Sequence, residues 1–216
     1  MSGFPGSPKL IKGGVVLIDP GTGAVRRIIA LQYNPDTITR SLQVQGIGAD
    51  SGDRSEALRL KGPPVETIKL DAEIDAAEQL EIADGLATQV GLHPQLAALE
   101  LIVYPSSAQL QAANSLAHAG TLEIAPAEAA LMLFIWSKQR IVPVRLTEFS
   151  ITEEAFDAAL NPIRAKLSLG LRVLSVNDIG FDHKGGSLFI SYLQNKEQLA
   201  QKFAGGAFAA LGISGI

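Results

Sequence analysis

The chain has 216 residues, 47% of them hydrophobic and 19% charged, with 18 basic against 22 acidic side chains for a net charge of −4. That composition supplies a core for one domain, or one domain with an appendage, and excludes a disordered chain. The near balance of charge argues against wrapping a nucleic acid, and the absence of cysteine excludes disulfides, thiolate nucleophiles and cysteine-bound zinc.

Met1 to Pro8 carries Gly3, Pro5, Gly6 and Pro8 and reads as a flexible arm. It has no basic segment leading into an apolar one, so no signal peptide is expected. No apolar run approaches the ~20 residues of a membrane-spanning helix. The expectation is a protein made in, and at first staying in, the cytoplasm, without a membrane partner.

Leu10 to Ile18 is apolar and β-branched, Asp19 to Gly23 supplies turn chemistry, and Val25 to Tyr33 resumes strand composition, which predicts an antiparallel hairpin. Asn34-Pro35-Asp36 breaks the chain, and Ile38, Leu42 and Val44 suggest a third strand. Gly46 to Ser55, with Asp50, Asp53 and Arg54, reads as a mobile loop. From Ile68 the alternation is clean: Ile68, Leu70, Ala72 and Ile74 are apolar, and Lys69, Asp71, Glu73 and Asp75 are polar. A period of two means one buried and one wet face.

Residues 75 to 119 read as a helical insertion. Asp75 to Ala87 is rich in strong helix formers. His93-Pro94 places proline in the first turn of a second helix, with Leu96 and Leu99 on one face. Ser107 to His118 is a third, closed by Gly120. Leu131 to Trp136 is continuously apolar and predicts a strand covered on both faces, followed by a tight turn at Lys138-Gln139-Arg140. Val142, Val144 and Leu146 are then apolar at even positions, Phe149 and Ile151 at odd ones. One extra residue near Thr147-Glu148 restores a single buried face, as a β-bulge does.

The strongest strand is Ile163 to Val173, where Ala165, Leu167, Leu169, Leu171 and Val173 alternate with Arg164, Lys166, Ser168, Gly170 and Arg172. At ~3.3 Å per residue it exceeds ~30 Å. Ser187 can cap a final helix through Phe189, Tyr192, Leu193, Lys196, Leu199 and Phe203. The apolar tail from Ala204, with Phe208, suits docking on a partner.

No site for chemistry emerges. His93, His118 and His183 lie in separate segments without metal-pair spacing and fit capping or surface roles. Asp178, Asp182 and His183 sit in a glycine-rich stretch that reads as a solvated turn. The glycines form neither a dinucleotide fingerprint nor a P-loop, and no serine has a nucleophile elbow. Asp71, Glu73 and Asp75 share a wet strand face. No metal, nucleotide or other cofactor is expected, and the chain is expected not to be an enzyme. Arg164, Lys166 and Arg172 on the long strand, with Arg145 on a neighbour, fit either a solvated face or an inter-subunit or channel-lining surface.

Four segments resemble the contractile injection system tube-protein family, the tube-initiator or spike-adaptor subunits of phage-tail-like particles. They are Leu10 to Ile18 leading into Ile29 to Ile38 with Arg40-Ser41; Leu60 to Ile68 running into Asp71 to Asp75; Leu131 to Trp136 with Arg140 to Leu146; and Phe156 with Leu160-Asn161-Pro162-Ile163-Arg164-Ala165. Together they cover residues 9 to about 176. The resemblance implies a mainly β (α+β) fold, tube-protein-like, with two packed, roughly orthogonal antiparallel sheets or a barrel over residues 9–180. A C-terminal helix and tail follow over 181–216. It implies a ring, hexameric in the family, joining a trimeric spike to a tube protein within a baseplate, and a place in an injection particle after assembly. Many relatives continue into a LysM-type module, which this sequence does not contain, so glycan binding is not carried over. On this reading Arg145, Arg164, Lys166, Arg172, Asp50, Asp53, Arg54, Phe203 and Phe208 are candidate interface or lumen residues. The alternative is a small-ligand-binding β-barrel, with an apolar cavity lined by the alternating faces.

Overall fold

The computed structural model of the chain describes residues 11–46, 59–118 and 129–215. The N-terminal arm, most of the loop at 46–55 with Asp50, Asp53 and Arg54, and Gly120 lie outside the described residues. Among the described residues there are seven strands: β1 (Gly14–Ile18), β2 (Val25–Ala30), β3 (Ile38–Gln43), β4 (Val65–Asp75), β5 (Leu131–Ile135), β6 (Ile141–Phe156) and β7 (Pro162–Val173). They form one sheet in the order β2-β1-β5-β6-β7-β4-β3, every neighbouring pair antiparallel.

The fold is therefore mainly β with helices added, as the residue pattern predicts. Strand β6, 16 residues long, joins the two halves of the sheet. Ile141 to Val144 pair with β5, and Val144 to Phe156 pair with β7. Its register shifts between Leu146 and Glu148, which is the bulge that the phase change at Thr147 predicts. The extra residue keeps Val142, Val144, Leu146, Phe149 and Ile151 on the core side.

The hairpin of β1 and β2 turns on Asp19, whose Oδ1 accepts from the Gly21 and Thr22 amides at 3.1 and 2.8 Å. Both halves of the sheet close over one core: Val15 and Leu31 share a continuous buried cluster with Ile68, Leu70, Phe134, Leu167 and Leu171. The Gln32 amide, just past β2, links the halves at one end. It donates to the Asp75 carbonyl at 2.7 Å and accepts from the Asp75 amide at 2.9 Å, standing in for a strand neighbour.

The insertion is helical as expected but holds four short helices: α1 (Ala77–Glu81), α2 (Gly85–Val90), α3 (His93–Glu100) and α4 (Ser107–His118). The first candidate, Asp75 to Ala87, is split because Ala83 takes a positive φ of 54° and Asp84 caps α2. Leu96 and Leu99 of α3 are buried with Leu92, while α4 buries nothing. Two α-helices follow the last strand, α5 (Val176–Ile179) and α6 (Lys184–Gln201), and a short 3-10 helix lies in the tail at Phe208–Leu211.

Helix α6 begins three residues before the expected cap at Ser187. His183 is the cap, its Nδ1 accepting from the Gly185 amide at 3.0 Å. Two glycines in a first turn look like a loop by propensity, but close packing requires them. A Cβ on Gly186 would lie 2.0 Å from the Gly180 carbonyl oxygen. Phe189 and Tyr192 then seat α6 against the core.

Candidate functional site

Over five successive rows the side of the sheet away from the core carries no large apolar side chain across β4, β7 and β6. Read in register, its rows are Thr67–Arg172–Arg145, Lys69–Gly170–Glu148, Asp71–Ser168–Ser150, Glu73–Lys166–Thr152 and Asp75–Arg164–Glu154. Fourteen of these fifteen positions carry a polar or charged side chain, and the other is Gly170. The period of two in each strand puts them there, since their neighbours in sequence fill the core. Arg145, Arg164, Lys166 and Arg172 thus share one face, and Arg145 stands directly opposite Arg172.

Most charges on this face are matched within the chain. Arg164 meets Asp75 at 2.8 Å and Glu73 at 3.3 Å, Lys166 meets Glu154 at 2.9 Å, and Lys69 meets Glu148 at 2.8 Å. The Ala77 amide, then the Arg164 guanidinium, hold the Asp75 carboxyl below the usual range. Arg172 pairs with Asp178 at 2.6 Å. Asp178 belongs to the capping box of α5 and so serves both Ser175 and Arg172. Arg145 makes no ion pair among the described residues, and the Arg172 Nε is buried without a hydrogen bond. The top row therefore carries surplus positive charge. Lower down, the loop after β2 walls an open cleft of about 600 Å³ of mixed character, lined by Tyr33, Pro35, Asp71, Ser150, Lys166 and Leu167. Among the described residues, no cluster of three or more His, Cys, Asp and Glu side chains could hold a metal.

Glu66 is the residue that pattern reading missed. It lies two positions before Ile68 on the buried face and is only 3% exposed. Its Oε1 accepts from Arg40 Nε at 2.8 Å, Arg40 Nη2 at 2.6 Å and the Tyr192 hydroxyl at 3.1 Å; its Oε2 accepts from Lys196 Nζ at 3.0 Å. Lys196 Nζ also lies 4.1 Å from the centre of the Tyr192 ring. Burial pushes the Glu66 carboxyl up, but the bonds from Arg40 and Lys196 outweigh it and the net shift is downward. The even phase of Glu66, set by Ile68, Leu70 and Ala72, is the sequence signal for it.

Both outer strands of the sheet are open on one side among the described residues. β2 exposes Val25 and Ile28, the latter 68% accessible, and β3 with its extension exposes Leu42 and Val44. The C-terminal segment leaves the body: past Lys196 every residue of α6 and of the tail whose side chain is described is exposed. Phe203 is 80% accessible, and Phe208, Leu211 and Ile213 follow it. Phe203 and Phe208 are thus on the surface, in the tail and not on the strands of the polar face. No helix is long and apolar enough to cross a membrane among the described residues.

No family model matches the chain, and no curated protein matches it. Among solved structures it is similar to a chain of the "Tail of empty GTA particle computed with helical refinement, C6 symmetry", with 13% identity over 75% of this chain and 90% of that one, at a TM-score of 0.28. A likeness that loose assigns neither family nor role.

Proposed function

We propose that the protein is a structural subunit of a contractile injection particle, forming a ring in the baseplate hub that joins the central spike to the inner tube and starts tube assembly. The observation that carries this reading is the open sheet. Among the described residues the outer sides of β2 and β3 have no strand partner and carry large apolar side chains, an arrangement that invites pairing with another chain. The two edges differ in sequence, so pairing β2 of one copy with β3 of the next is heterologous, and such contacts make a ring when the rotation closes.

The polar face of β4, β7 and β6 supports the same reading. A ring built through the sheet edges presents the long strands side by side, and a wet, charged face suits an aqueous lumen. The tail with Phe203 and Phe208 then serves contacts to a neighbouring layer, such as the spike or the tube protein. The ligand-barrel reading has less behind it, because the alternating apolar faces pack against each other, with Phe134, Leu167 and Leu171 almost fully buried.

The test is assembly in solution. Ile28→Lys and Leu42→Lys place a charge on each open edge without touching the core. Both variants should stay folded and lose concentration-dependent rings, as seen by light scattering and negative-stain imaging. Rings that persist in both variants would remove the edges from the interface.

A further inference from the structure

The Glu66 cluster joins three elements that are otherwise far apart in the chain. Arg40 is on the open strand β3, Glu66 on β4, and Tyr192 and Lys196 on α6. Among the described residues, every hydrogen bond between α6 and the β3–β4 pair passes through this cluster. The Tyr192 hydroxyl donates to Glu66 and accepts from Arg40 Nη2, each at 3.1 Å. It therefore touches both partners of the ion pair that fixes β3.

We propose that Glu66 couples the open β3 edge to helix α6, so that a strand docking on β3 also fixes α6 and the apolar tail beyond it. Each element completes the other's polar shell. If α6 lifts away, Glu66 loses Lys196 and Tyr192, Arg40 loses a hydroxyl, and water reaches an ion pair that is strong because it is buried. If β3 peels away, Glu66 keeps only the α6 groups and the Tyr192 hydroxyl loses a donor. Opening one element thus lowers the cost of opening the other, and the effect is equal in both directions. The segment that answers to this switch is the one past Lys196, which makes no buried contact of its own. The use of the coupling at an interface rests on the ring reading above; the coupling itself is a property of the single chain.

Hydrogen exchange on the full chain tests it. Tyr192→Phe removes one hydroxyl and keeps the ring, and Lys196→Met acts at a half-exposed position, so neither should unfold the protein. Both changes lie on α6, and the expected result is exchange about threefold to fivefold faster at Ile38 to Gln43 on β3. The converse variant, Arg40→Gln on β3, should speed exchange by a similar factor along Phe189 to Gln201. The amides of the β1–β2 hairpin should not change. Faster exchange confined to the mutated element, or spread equally to that hairpin, would overturn the proposal. Rings that form without cross-element exchange would sink the coupling alone. Cross-element exchange in a chain that never assembles would sink the ring alone.

Discussion

A buried carboxylate held by two cations and a hydroxyl makes stability depend on charge. Removing Glu66 leaves Arg40 and Lys196 facing each other at a site that is 3% exposed, so Glu66→Ala should cost about 3 kcal/mol in urea unfolding. Tyr192→Phe should cost about 1 kcal/mol, the usual worth of a hydroxyl bond. The pH dependence has a definite sign. Glu66 titrates below its ordinary 4.5 in the folded chain, so its stabilisation is complete above that value and is lost as the pH falls through the folded value. Stability should drop in acid, and Glu66→Gln should show a shallower drop; an identical acid profile in the variant would contradict the assignment. The phase of Glu66 is legible in the sequence, beside Ile68 and Leu70. Its partners are not, because Arg40, Tyr192 and Lys196 reach it from 26 to 130 residues away, and no period connects them.

Elements are legible where a local pattern decides them and obscure where packing does. The bulge at Leu146 to Glu148 and the 12-residue strand β7 follow from alternation alone. Leu169 is buried between Leu70 and Phe149, so Leu169→Asp, which buries an unpartnered charge, should leave the chain unfolded by circular dichroism. The start of α6 follows from no local pattern, since glycines at 185 and 186 oppose a helix until Gly180 is packed against them. The Cβ of Gly186→Ala would lie 2.0 Å from the Gly180 carbonyl oxygen, so backbone has to shift and the change should cost about 1–3 kcal/mol by thermal unfolding. The tail behaves oppositely. Ending the chain after Gln201 removes residues whose described side chains are all exposed and should change stability by less than about 0.5 kcal/mol, while weakening capture of a spike or tube partner.

At the scale of the whole molecule, strand order is what the sequence conceals. β1 pairs with β5 more than a hundred residues later, and β4 pairs with β7 across the helical insertion; alternation says which face of a strand is buried but not which strand lies beside it. The consequence for function is an open sheet with β2 and β3 at its ends, a face of matched charges, and a positive row at Arg145 and Arg172. Exposed ion pairs such as Lys69–Glu148 contribute little to stability, so their role is to keep the face wet and free of apolar contact. The most direct test of the account is the mass of the purified chain across a wide concentration range. The account predicts a closed ring that appears with concentration and disappears in the edge variants Ile28→Lys and Leu42→Lys. A chain that stays monomeric at every concentration, and is absent from rings between spike and tube in particles, would contradict it.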